Sequence, residues 1–426
     1  DEVVMGVFRA PHSYTGEDVV EFSCHGSTYI QQRMLQLCIS KGARLARPGE
    51  FTLRAFLNGK LDLSRAEGVA DLIMAGSEAS HRIALQQMRG GFSKEIRELR
   101  SRMLHFVSMI ELELDFGEED VEFANRSELI KLLNYILLNI NRLADSFRAG
   151  NVIKNGIPVS IIGRPNVGKS TLLNLLLNDD KAIVSEVPGT TRDIVEDTII
   201  IEGIIFRFID TAGIRDTRDK VETLGIRKTN EKIRRSDLVL LLVEVTDSLK
   251  SVIRMISRVR TLMNRQENSV KKLVLVVNKI DKADRKAFSG IKSLFSSKLG
   301  TSSESKKIKA SGPAELKNTT YADDIVFISA KKRRNLAKLT RSILKQTNLA
   351  CFGSQDIVVT NVRHYEALTK AQESLERAKQ GLKNDLPSDL LATDIRQAIH
   401  YLGEITGEIT TDEILGNIFR NFCIGK

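Results

Sequence analysis

The chain has 426 residues, 42% of them hydrophobic and 28% charged, with a formal net charge of +10 at pH 7. So much apolar material excludes a single small domain and points to two or three cores, while no run approaches the roughly 18 uninterrupted apolar residues of a membrane span. The cationic excess argues against an acidic binding module and favours a polyanionic partner, nucleic acid ahead of a membrane surface.

Residues 1–58 mix short apolar runs, "VVMGVF" and "DVVEF", with glycine, proline and charge, which predicts an α+β unit. The run starts without a methionine and already strand-like, so this unit is expected to be N-terminally incomplete. Over 59–155 the period changes to helical: Ile96, Leu99, Met103, Phe106, Val107 and Ile110 recur at threes and fours, as do Leu129, Leu132, Leu133, Ile136 and Ile140. Over 156–348 continuous apolar segments ("PVSII", "IIFRFID", "LVLLLVEV", "KLVLVVNK", "DIVFISA") alternate with helical stretches, the pattern of parallel strands covered on both faces. Helical periodicity returns over 349–426, with Val358, Val362, Tyr365 and Leu368 read as one stripe. An α/β unit between two helical segments predicts a domain inserted into a discontinuous helical one, with borders near 150–157 and 345–352. A Ser/Lys/Gly-rich stretch between Arg285 and Lys317 is expected to be a solvated surface excursion from the α/β unit, with a direct nucleic-acid contact as the alternative. Cys24, Cys38, Cys351 and Cys423 form no Cys-x-x-Cys pair, which points to a reducing compartment, the cytoplasm.

The chemistry is concentrated in the α/β unit. "GRPNVGKST" (163–171) follows a strand and opens a helix, the context of a phosphate loop. Gly163 and Gly168 let backbone amides turn toward phosphate oxygens, Lys169 brings a point charge to the β and γ phosphates, and Ser170, followed by Thr171, can ligate magnesium. "DTAG" (210–213) places Asp210 to hold magnesium through water and the Gly213 amide near the γ-phosphate. In "NKID" (278–281), with Asn278 and Lys279, the Asp281 carboxylate accepts the N1 and N2 hydrogens of guanine and would face an acceptor on adenine. "SAK" (Ser329, Ala330, Lys331) closes the base pocket. Together these motifs predict a guanine-nucleotide domain. Within "SEVPGTTRD" (185–193) either Thr190 or Thr191 could reach magnesium. The position after Gly213 is Ile214, which cannot orient water, so a polar substitute must come from Asp216, Asp219 or Glu222. No arginine is evidently committed to the phosphates; a bound cation could supply the field, and the Asn166 carbonyl oxygen suits a monovalent ion.

These motifs, with "PHSYTGEDVVEFSCHG" (11–26), "RPGEFTLRAFLNGKLDLSRAEGVADLI" (47–73) and the terminal "CIGK", resemble the bacterial MnmE/TrmE family of tRNA-modification GTPases over essentially the whole chain. The resemblance departs at the start, in the basic excursion, and at Asp216, where the family often has glutamate. It implies a folate-binding, dimerising α+β domain (1–58), a helical domain in two parts (59–155 and 349–426) and an inserted Ras-like G domain (156–348). It also implies a homodimer that forms a heterotetramer with an FAD- and NADH-using MnmG/GidA-like partner, and no membrane. The reaction would add an aminomethyl or carboxymethylaminomethyl group at C5 of the tRNA wobble uridine, with carbon from 5-formyl- or 5,10-methylene-tetrahydrofolate. Carried over, potassium would be held at Asn166, Ser185, Val187 and Thr190, and magnesium by Ser170 and Thr191. Glu222 would position the hydrolytic water, and Arg192, Asp193 and Arg215 would take switch or interface roles. Glu21, Lys60 and Lys426 would bind folate, with Cys423 a candidate nucleophile or general acid. The competing readings are an RNA-associated ribosome-assembly GTPase, which leaves "CIGK" without work, and a nucleotide-regulated scaffold.

Overall fold

A computed structural model describes residues 1–115, 126–177, 197–209, 230–264, 271–282, 322–347, 357–384, 386–420, 422 and 425. The chain divides into two compact units, Asp1–Lys154 with Ile357–Lys426, and Asn155–Asp356.

The first unit opens with an antiparallel pair, β1 (Val4–Phe8) and β2 (Val19–Ser23), in which Val4 lies opposite Ser23 and Phe8 opposite Val19. Helices α1 (Thr28–Ser40) and α2 (Glu50–Leu57) follow. The loop joining the strands is tied to α2 and the turn after it: Tyr14 Oη lies 3.0 Å from Thr52 Oγ1, and Asn58 Nδ2 donates to the Thr15 carbonyl at 2.8 Å. Next come α3 (Leu63–Met74), α4 (Glu78–Met88), α5 (Gly91–Asp115) and α6 (Arg126–Asn155). Asp62 caps α3 by accepting from the Arg65 amide, and its carboxylate also takes the Ser93 hydroxyl and Arg97 at the next helix pair. A Ser77/Ser80 capping box starts α4.

The second unit is a six-stranded sheet in the order β4-β5-β3-β6-β7-β8. It comprises β3 (Ile157–Gly163), helix α7 (Lys169–Leu177), β4 (Asp197–Ile201), β5 (Ile204–Phe208), β6 (Leu238–Glu244), helix α8 (Leu249–Met263), β7 (Lys272–Asn278), β8 (Asp324–Phe327) and helix α9 (Leu336–Gln346). All neighbours are parallel except the β4–β5 hairpin. That hairpin turns on Glu202 and Gly203, both at positive φ (48° and 77°), the geometry of a two-residue primed turn. The apolar side of α8, Val252, Ile256, Val259 and Met263, packs on alternate residues of β6 and β7, so these strands are continuously apolar over 238–243 and 273–277, where both faces are covered.

The chain re-enters the first unit as an extended segment along the end of α6. The Val359 amide donates to Ser146 Oγ at 3.0 Å, and Gly150 leaves room for the Val359 carbonyl, which a Cβ there would meet at 2.1 Å. Helices α10 (Val362–Lys383), α11 (Ser388–Thr406) and α12 (Asp412–Phe419) complete the unit. The predicted stripes of α5 and α6 form one core with Leu368, Leu375, Ile395 and Leu402 from α10 and α11. The stripe drawn from Val358 through Leu368 needs correction. The Asn361 side chain accepts from the Arg363 amide and starts α10 at Val362, so Val358 lies before the helix. No helix among the described residues is long and apolar enough to cross a membrane.

Candidate functional site

Four strands of the second unit, β3, β6, β7 and β8, run parallel and end at one edge, where ligands of open α/β sheets bind. At the end of β3, Gly163 lies so close to β6 that a Cβ would approach the Leu242 carbonyl to 2.5 Å. The loop then turns through Asn166 (φ 61°) and Gly168 (φ 100°) into α7, whose N-terminal end is suited to an anion. Lys169 Nζ folds back over this loop onto the carbonyls of Gly163 (2.9 Å) and Arg164 (2.7 Å). Burial, and to a smaller degree Lys232, holds its pKa below the usual lysine range. A phosphate would relieve that stress, so the cradle and its cation suit a polyphosphate.

Asn278, 2% exposed at the end of β7, joins this loop to the next motif. Its Nδ2 donates to the Val167 carbonyl at 2.8 Å, and its Oδ1 accepts from the Ala330 amide at 2.9 Å. Gly168 must be glycine at this crossing, both for its positive φ and because a Cβ would fall 2.4 Å from Asn278 Nδ2. Ser329 donates its hydroxyl to Asp281 Oδ1 at 2.5 Å, which holds the Asp281 carboxyl below its ordinary range, with Lys332 and Lys282 helping. Asp281 is thus a standing acceptor, as guanine recognition requires. The Asn335 side chain donates to the Phe327 carbonyl and shapes the turn that carries Ser329, Ala330 and Lys331.

Thus Val167, Asn278 and Ala330 are joined by hydrogen bonds, and Asp281 is held by Ser329, the residue before Ala330. Lys279, at φ 62°, points its ammonium away to Glu244 (3.0 Å). Ser170 is half-buried in the first turn of α7, whereas Thr171 and Lys331 are exposed. In the first unit Glu21 is exposed on β2, and Lys60 donates to the Pro11 carbonyl at 2.6 Å; the two do not contact each other directly. Both side chains are open to a ligand with polar edges. Ser185, Val187, Thr190, Thr191, Arg192, Asp193, Asp210, Gly213, Arg215, Glu222, Cys423 and Lys426 lie outside the described residues, as does the 285–317 excursion.

Two supports escaped the sequence reading. Arg164 in the phosphate loop pairs with Asp247 (3.3 Å) and bonds the Ser251 hydroxyl, while Asp247 also accepts from the Glu244 amide (2.9 Å). The turn after β6 therefore braces both the phosphate loop and Lys279. The only sequence cue was a turn-forming "TDS" after a strand. The second support is a buried ionic cluster in the first unit. Glu67 accepts from Asn361, from Arg363 at both oxygens (3.0 and 2.9 Å) and lies 2.6 Å from His364 Nε2. One turn along α3, Asp71 pairs with Lys154 at 2.7 Å.

Family models match nearly the whole chain: the GTP-binding protein TrmE N-terminus over residues 1–60 and the MnmE helical domain over residues 63–423. The chain is 50% identical to the tRNA modification GTPase MnmE of Flavobacterium psychrophilum and 51% to that of Flavobacterium johnsoniae, in each case covering all of this chain and 86% of the relative. A solved structure of Era in complex with MgGDPNP and nucleotides 1506-1542 of 16S ribosomal RNA is 27% identical over 51% of this chain and 66% of that one, with a TM-score of 0.30, too low to add weight. With its phosphate loop, base loop and both flanking domains matched along its length, the chain belongs to the MnmE family, GTPases whose GTP hydrolysis serves tRNA modification.

Proposed function

We propose that this chain is a potassium-activated GTPase that works as a homodimer with an FAD- and NADH-using MnmG-like partner in the cytoplasm. Together they would build the aminomethyl or carboxymethylaminomethyl group at C5 of the wobble uridine, drawing carbon from a tetrahydrofolate derivative. The observation that carries the nucleotide half is the Asn278 bridge, which makes the phosphate loop and the base loop one rigid piece. On this reading residues 156–348 are the G domain, 1–58 the folate and dimer domain, and 59–155 with 349–426 the helical domain.

Lys169 supplies charge at the β and γ phosphates, and Asp281 selects guanine by accepting two N–H groups. Magnesium, when bound, neutralises phosphate charge; Ser170 in the first turn of α7 and Thr191 would hold it, with Asp210 reaching it through water. The Asn166 side chain makes no hydrogen bond with the described residues and is exposed in the loop, which supports its carbonyl oxygen as one potassium ligand, with Ser185, Val187 and Thr190 as the others. A cation there does the work of an arginine finger. Glu222 takes the water-orienting place that Ile214 cannot fill, and Arg192, Asp193 and Arg215 serve the switch or the dimer contact. Glu21, Lys60 and Lys426 receive the folate, Glu21 accepting from its amino-pyrimidine edge, and Cys423 takes part in the modification chemistry.

Potassium is the direct test. At matched ionic strength the steady-state GTPase rate should be at least tenfold higher in potassium than in sodium; equal rates would refute the cation mechanism.

A further inference from the structure

Residues 331–347, "KKRRNLAKLTRSILKQT", carry seven cations and no carboxylate, in a chain whose overall ratio is 64 to 54. The sequence reading absorbed only Lys331 of these. In the structure the run is the turn after β8 followed by α9. Lys331, Lys332, Arg333 and Arg334 are exposed in the turn, and Lys338, Arg341 and Lys345 are exposed along the helix. Leu339, Ser342 and Ile343 form the buried side of α9, so the three helical cations, at spacings of three and four, share the opposite, outward stripe. Asp324 on β8 forms no ion pair with them; its Oδ2 accepts from the Ser342 hydroxyl at 2.6 Å on the inner side. None of Lys338, Arg341 and Lys345 is in an ion pair among the described residues.

We propose that this face of the second unit is a docking surface for the phosphate backbone of tRNA. Two physical features choose that occupant over others. A protein-docking face carries aromatic or aliphatic anchors at its centre, and the only exposed apolar side chain along this run is Ala337. A membrane-binding amphipathic helix needs an uncovered apolar side, and that of α9 is buried against the sheet. What remains is an uncompensated row of point charges. From Lys338 to Lys345 the helix rises about 10 Å, while one strand of a duplex presents a phosphate about every 3 Å along its axis, so three cations can meet three separate phosphates. Such contacts position the RNA and do not read its sequence. The proposal rests on the tRNA-modification reading for its partner and adds where that partner sits.

The test compares the full chain with the triple variant Lys338→Gln, Arg341→Gln, Lys345→Gln, and with a control triple, Lys370→Gln, Lys379→Gln, Lys383→Gln, which removes the same charge from α10, where Glu366, Glu373 and Glu376 lie among the cations. Affinity for labelled tRNA is measured by fluorescence anisotropy over a salt series. The α9 variant should bind about tenfold or more weakly at low salt, and its log–log salt slope should be shallower by about 2 to 3, as expected for three lost phosphate contacts. The loss should be the same for several tRNA sequences, and GTPase without tRNA should be unchanged. The control should keep its affinity and slope. An unchanged slope in the α9 variant, an equal loss in both triples, or loss of binding only to the MnmG-like partner or to anionic vesicles would each overturn the proposal. Wobble modification by the wild-type chain is measured alongside. Its absence would count against the proposed reaction, whereas the salt slopes report on the face whether or not that reaction occurs.

Discussion

Both ends of the Asn278 amide are occupied within the protein, one by the Val167 carbonyl and one by the Ala330 amide, and all three residues are at most 3% exposed. Truncation in Asn278→Ala strands a buried acceptor and a buried donor at about 1 to 3 kcal/mol each. GTP affinity measured calorimetrically should therefore fall at least tenfold; an unchanged affinity would mean that the two loops are positioned independently. Asp281 gives a prediction of different kind. In Asp281→Asn the second acceptor becomes a donor facing the guanine amino group, so binding should shift from guanosine to xanthosine triphosphate, read by competition between the two. These residues were legible because each motif is contiguous and ends a strand. Arg164, Asp247 and Ser251 were not, because their meeting spans more than 80 positions and depends on which turn the sheet order sets beside the phosphate loop.

At the scale of elements, α3 anchors the chain on both sides of the insertion. Lys154, where the chain leaves the first unit, pairs with Asp71, and Asn361, Arg363 and His364, where it has returned, converge on Glu67. Burial pushes the Glu67 carboxyl upward, but His364 and Arg363 outweigh it and hold the pKa at about 2, below the usual 4.5. Burial also pushes His364 below its usual 6.5, only partly offset by Glu67, and the neutral ring can donate from Nε2 to the carboxylate. The remaining charges facing this pair are Asp71, itself raised by burial, and Lys154. Both principal shifts have the same consequence. The unfolded chain binds protons more readily, so stability falls on acidification, first below about pH 6.5 through His364 and then between about 4.5 and 2 through Glu67. Glu67→Gln leaves the Arg363 charge without its partner and should lower unfolding free energy by about 3 kcal/mol in denaturant melts. It should also remove the step between pH 4.5 and 2; an unaltered acid profile would show that the cluster does not set it. The helix stripes of α5 and α6 could be read from periodicity because one buried face repeats locally. The cluster could not, since Glu67 and Arg363 lie 296 residues apart, and the start of α10 was misplaced because an asparagine cap outweighed one more apolar residue in phase.

For the whole molecule, the sequence order of strands and helices made an inserted α/β unit readable, because parallel strands covered on both faces leave continuous apolar runs that helices do not. The proposed partner and folate rest on resemblance alone, since their residues are scattered single side chains, whereas the proposed monovalent cation was suggested by Asn166 and the lack of an arginine committed to the phosphates. The central claim is that cleavage of GTP, not its binding alone, drives tRNA modification. The most direct measurement is the yield of C5-modified wobble uridine when the full chain is combined with an MnmG-like partner, tRNA and the folate donor, with either GTP or a non-hydrolysable analogue at saturation. Modification with GTP and at most a few per cent of that yield with the analogue is the expected result. Equal yields with both nucleotides would contradict it.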